Sequence, residues 1–288
     1  MQWRGRRESG NVEDLRGRGG GGGGGLGLLF IIGRTFGIKG ILVALVIGAI
    51  LWALGVNPSR LLDGGGVVEG GSVEVTGAEQ ERFDFVKVVL ADTEDVWRAE
   101  FRRQGLEYEV PALKVFRGRV GTGCGTMSAA VGPFYCPPDR SVYLDLGFYD
   151  ELERTFKAPG DFAQAYVVAH EVGHHVQTLL GTAEKVAALR GGRDANEMSV
   201  RLELQADYYA GVWAHHSARY LEHGDIEEAM RAANAIGDDA IQLQQQGKVV
   251  PHAFTHGTSE QRMRWFNKGL RSGKMEEGDT FALPYRDL

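Results

Sequence analysis

His170, Glu171 and His174 stand in the order H-E-x-x-H. On a helix, residues four apart share a face, so the two imidazoles can close on one metal ion. Glu171, one position beyond His170, can reach a water on that metal rather than the metal itself. This is a zinc-hydrolase signature, two His ligands with a Glu as general base. The surroundings agree with it. Tyr166, Val167, Val168 and Ala169 precede the motif, and Val172, Val176, Leu179 and Leu180 interleave or follow. A helix apolar nearly all round is buried, and burying two His and a Glu is costly unless a metal or other polar partner meets them. His175 points about 100° away from His174 and is expected either to support the metal ligands from behind or to be structural.

A catalytic zinc needs a third protein ligand and an open position for water. The metzincin pattern would place Gly at 177 and His at 180; this chain has Gln177 and Leu180, which excludes that class. Residues 196–211 form a second strongly helical stretch with Glu203 and Asp207 four apart. Glu203 is assigned as the third ligand. Asp207 is assigned as the carboxylate that orients a ligand imidazole. His256 precedes a helix whose start carries Thr258 and Gln261 at capping-box spacing. From that loop it could donate to a developing oxyanion or simply bond locally, and both readings stay open. His215, His216 and His223 read as solvated helix-end residues.

Positioning these groups falls to the rest of the chain. Its 288 residues, 43% of them hydrophobic, suffice for one large domain or two small ones. A net charge of −6 gives no general attraction to nucleic acid, so no nucleic-acid partner is expected. The motif helix is expected to start at Asp161 as N-cap. Upstream, residues 78–105 read as two helices broken at 92–95, followed by strands near 113–119, 134–136 and 141–146. The last of these could pair its edge with an extended peptide. Cys124 and Cys136 are the only cysteines. Outside the cytoplasm they would form a disulfide, contributing up to roughly 3 kcal/mol on the chain-entropy model.

At the N-terminus, Arg4, Arg6, Arg7, Arg16, Arg18, Arg34 and Lys39 all precede the first long apolar run, residues 17–25 are nearly pure glycine, and residues 40–56 carry no charge. The expected division is a disordered Arg/Gly-rich cytoplasmic tail (1–36), a transmembrane helix (37–57), a Gly-rich linker (58–77) and a metallopeptidase domain (78–288). A cleaved signal peptide competes with the span, but the apolar region is long for one. Basic residues ahead of the span place the N-terminus inside and residues 58–288 outside the cytoplasm.

The blocks around Cys124 and Cys136, the run Val142 to Asp145, the motif from His170 to Gln177, Glu203 to Asp207, and Phe254 to Arg262 occur together and in this order. With them the chain resembles the neutral zinc metallopeptidase family of bacterial membrane-anchored proteins, from about residue 34 to the C-terminus. The resemblance implies a zincin-like α+β domain, zinc binding and peptidase activity. The expected fold is therefore mainly helical with a small antiparallel sheet, preceded by one transmembrane helix. The expected function is a zinc endopeptidase of the bacterial cell membrane, single-pass, acting on peptides or proteins. Zn2+ would sit on His170, His174 and Glu203, with Glu171 as base. The competing reading is a metal-stabilised envelope scaffold without activity.

Overall fold

The computed structural model describes residues 1–17, 75–189 and 191–288. Met1–Leu15 and Thr76–Leu288 build one unit, and a second, Arg16–Val75, lies almost wholly outside the described residues. Among the described residues the first strand, β1, is Val12–Asp14, and the first helix, α1, is Gly77–Arg103, capped by the Thr76 side chain on the Glu79 amide. Then come β2 (Ala112–Phe116), β3 (Arg119–Thr122), β4 (Gly125–Ser128), β5 (Phe134–Cys136) and β6 (Ser141–Asp145). The remainder is helical: α2 (Phe148–Arg154), α3 (Asp161–Leu179), α4 (Thr182–Ala187), α5 (Ala195–His216), α6 (Asp225–Ala235), α7 (Asp238–Gln246) and α8 (Ser259–Ser272). The α+β, mainly helical expectation holds.

The larger sheet runs β1-β2-β6-β5. Among the described residues antiparallel pairing joins β5 with β6 and forms the separate β3/β4 hairpin, while β1, β2 and β6 run parallel. Side chains alternate across this sheet with period two. Leu113, Val115, Val142 and Leu144 face the main core, whereas Phe116, Tyr143 and Cys136 join Val120 in a smaller cluster on the other face. The Cys124–Cys136 disulfide ties the hairpin turn to β5. The outer strand β5 covers β6 along Ser141–Tyr143 only, so among the described residues the edge expected for a peptide is reduced to Leu144 and Asp145, which pair with β2 alone.

The main core centres on α3, with stacked or edge-on pairs such as Phe162–Trp213 and Tyr166–Phe266, both at 5.5 Å between centroids. Such pairs contribute about 0.5–1.5 kcal/mol beyond their burial. Asp161 is the first residue of α3 rather than its cap, which is Gly160. Glu228 accepts from the Phe162 amide in its place, leaving the Asp161 carboxylate to bond the Met1 amino group at 2.7 Å.

Three further expectations are corrected. First, α1 is continuous through residues 92–95. The polar residues there meet a partner instead of breaking the helix: Glu94 accepts from Ser9 Oγ (2.5 Å), Asn11 Nδ2 (2.9 Å) and Arg7 Nη1 (3.0 Å). Second, residues 1–17 are not a disordered tail. Arg4 and Arg6 pair with Glu81 and Asp92, and β1 adds to the sheet beside β2. Third, the single-pass membrane localisation is overturned, since among the described residues no helix is long and apolar enough to cross a membrane. The longest, α1 with 27 residues, is charged along its length. The expected span at 37–57 lies outside the described residues.

Candidate metal centre

Two helices carry the centre, and a glycine lets them meet. A Cβ built on Gly173 would lie 2.9 Å from the Ala206 carbonyl oxygen and 3.1 Å from its Cα, so α3 and α5 approach backbone to backbone at this point. His170 and His174 flank Gly173 on one helix; Glu203 and Asp207 flank Ala206 on the other. The close crossing therefore brings all four side chains together. One ligand atom each from His170, His174 and Glu203 lies within 4.8 Å of the others. His170 Nε2 is 3.2 Å from Glu203 Oε2, and His174 Nε2 is 3.5 Å from Glu203 Oε1.

The other ring nitrogens are held from behind. His170 Nδ1 donates to Asp207 Oδ1 at 2.8 Å. Asp207, fully buried, also accepts from Tyr166 Oη (2.5 Å) and from Arg262 through Nε (2.8 Å) and Nη2 (3.0 Å). His174 Nδ1 faces Gln177 Oε1 at 2.9 Å. Both histidines thus direct Nε2 toward the Glu203 carboxylate.

The electrostatics follow from these contacts. Burial alone would raise Asp207, but the Arg262 guanidinium outweighs it and brings the carboxyl down to about 2. Burial pushes Glu203 up as well, yet the imidazoles of His174 and His170 hold it well below the usual carboxylate range. For His170, burial favours the neutral ring, and the Asp207 carboxylate overrides it, pushing the imidazole up to about 10. The cluster therefore attracts positive charge: without a metal it holds protons where a cation would compete for the same lone pairs.

Glu171 is buried beside this cluster. His175 is also fully buried, but on the sheet side, bonding Tyr135 Oη of β5 at 2.9 Å and the Glu109 carbonyl at 2.7 Å, in keeping with a structural role. His256 stands on the loop before α8, whose Thr258–Gln261 capping box is formed. The His256 side chain is 51% exposed, with Nδ1 3.2 Å from Asp238 Oδ1. Asp238 accepts the amides of Thr255, His256 and Gly257 on its other oxygen. The Asp238 hydrogen bond, joined by the nearby Glu203 charge, holds His256 above its ordinary value. His215 and His216 are exposed in the last turn of α5, as expected, and their rings also bond the Leu270 and Gly273 carbonyls at the end of α8.

Sequence reasoning gave no role to Tyr166, Gln177, Asp238 or Arg262. A signal was present for two of them. Arg262 shares the core-facing spacing of Trp265 and Phe266, and Gln177 follows Val176 in a helix whose motif is set among apolar residues. A polar group at a core position must have a buried partner.

Fold and site together define a mainly helical α+β protein with a His/His/Glu cluster on two crossing helices and a buried Glu beside it. The chain belongs to the family described as Putative neutral zinc metallopeptidase, whose model matches residues 1–281. The match starts at the first residue, so the expected beginning near residue 34 was too late. The chain is 47% identical to Uncharacterized protein YpfJ of Escherichia coli K12, over 98% of this chain and 99% of the relative. It is 43% identical to Uncharacterized protein Rv2575 of Mycobacterium tuberculosis H37Rv, over 72% of this chain and 74% of that protein. No solved structure matches.

Proposed function

We propose that this protein is a zinc-dependent endopeptidase in which His170, His174 and Glu203 hold the metal and Glu171 is the general base. The observation that carries the reading is the convergence of two imidazole nitrogens and one carboxylate oxygen within 4.8 Å. The donor set fits zinc: two neutral nitrogen ligands and one oxygen ligand leave a fourth, tetrahedral position for water. When bound, the ion supplies a Lewis acid that acidifies its water and polarises the scissile carbonyl. The chain's own groups do the rest. Glu171 takes the proton of the attacking water and returns it to the departing amine. Asp207 and Gln177 hold the ligand rings in orientation. His256, oriented by Asp238, donates a hydrogen bond to the developing oxyanion. A peptide or protein is the substrate.

The Glu171→Gln variant tests this. The change keeps volume and leaves the ligands in place while removing the proton acceptor. Zinc content and melting temperature should stay near wild type while hydrolysis of a peptide library falls about 10²–10⁴-fold. Full activity with full zinc would sink the mechanism. Loss of zinc would show Glu171 to be a ligand or a ligand's support.

A further inference from the structure

We propose that Gln177 is the positioning residue that fixes the tautomer of His174, through a chain of hydrogen bonds that begins at the C-terminal segment of the fold. The proposal rests on the metal reading above. Its argument starts from acceptors whose identity is beyond choice. The Gly278 carbonyl can only accept, so the group facing it at 2.9 Å is the Gln205 amine, Nε2. Gln205 Oε1 then points the other way and accepts from Gln177 Nε2 at 3.2 Å. The Leu202 carbonyl, 2.6 Å from the same Gln177 nitrogen, imposes the same orientation independently. Two acceptors therefore occupy the Gln177 amine, and its carbonyl oxygen must be the end that faces His174 Nδ1 at 2.9 Å. An oxygen there accepts, so Nδ1 carries the proton and Nε2 presents its lone pair on the Glu203 side.

Gln177 is fully buried, so water does not compete for these bonds. The same residue joins the two ligand helices, because Leu202 immediately precedes Glu203 on α5. The two histidines are thus oriented by different chemistry: His170 by a carboxylate whose charge Arg262 balances, His174 by a neutral amide. A neutral partner orients the ring without adding negative charge to the site.

The experiment uses the full chain, with zinc itself as the probe, titrated in competition with a chromophoric chelator. If wild type binds no zinc, the metal reading fails, whatever Gln177 does. Given binding, Gln177→Met removes both the acceptor and the donor. It should weaken zinc by about 10–100-fold, the usual cost of losing an orienting partner. Gln177→Glu also loses the donor, but it keeps an oxygen for the His174 N–H. It should therefore destabilise the metal-free fold as Gln177→Met does while holding zinc near wild-type affinity. Zinc binding unchanged in Gln177→Met overturns the proposal, as does parallel loss of affinity in both variants. A third measurement needs no variant. In long-range proton–nitrogen correlation spectra of zinc-loaded wild type, His174 should show a protonated Nδ1. The opposite tautomer overturns the proposal even if neither substitution folds.

Discussion

At the scale of single residues, the most exacting feature is the buried ion pair of Asp207 and Arg262. Neither side chain is accessible, and both charges are committed to partners: His170 and Tyr166 on the acid, the Ile236 carbonyl on the base. Breaking such a pair leaves an uncompensated charge in the core, a loss of about 3–5 kcal/mol. Arg262→Met should therefore lower unfolding free energy by that order in urea, measured on chelator-treated protein so that zinc does not mask it. The same variant should also bind zinc more weakly, since Asp207 without its partner no longer holds the His170 ring. A change within experimental scatter in both quantities would mean the pair neither stabilises nor orients.

At the scale of elements, the site is a property of one helix crossing. Gly173 lets α3 lie against Ala206 of α5, and a methyl group there would meet backbone, not a flexible side-chain end. The same device recurs where α5 meets α8: a Cβ on Gly211 would lie 2.1 Å from the Phe266 carbonyl oxygen, and one on Gly269 2.0 Å from that of Tyr208. That second crossing brings Arg262 of α8 to Asp207. Gly173→Ala should push the ligand helices apart, costing about 1–3 kcal/mol by overpacking and loosening zinc together with it. Calorimetric melting with and without zinc checks this. Were Gly173→Ala to melt and bind zinc as wild type does, the crossing would not be what sets the ligand spacing.

At the scale of the whole molecule, the N-terminal segment is part of the described fold. Glu94, deep in the α1 face, receives Ser9, Asn11 and Arg7. Burial pushes its carboxyl up, but these hydrogen bonds win and hold it below its ordinary value. A depressed carboxylate contributes stability above its unfolded value, near 4.5, and loses it as pH falls through the folded value. Asp92 works in the opposite sense, since burial raises it to about 6 despite Arg6. Comparing wild type with Glu94→Gln cancels the Asp92 contribution. Wild type should lose stability below about pH 4.5 and Glu94→Gln should lack that part of the loss. Protection of the Val12–Asp14 amides, taken relative to intrinsic exchange, should fall first in acid, because Asn11, which leads into β1, is bound to Glu94; β1 amides as protected at pH 3 as at pH 7 would refute the linkage.

Two kinds of information separate here. The i,i+4 pairs His170/His174 and Glu203/Asp207, the helix that carries each, the capping box at Thr258 and the Cys124–Cys136 pair are local in sequence. Helical geometry and composition alone make them legible, because residues four apart must share a face wherever the helix goes. What tertiary structure decided are matters of long-range approach. It made residues 92–95 a docking site for Ser9 and Asn11 instead of a break, and it placed β6 inside a mixed sheet. It also brought Arg262 to Asp207 and Gln177 to Leu202. Each of these rests on a contact whose partner is distant in sequence or on another element. A polar side chain shows that it needs a buried partner but does not say which one, and only the packing of the helices against one another supplies that answer.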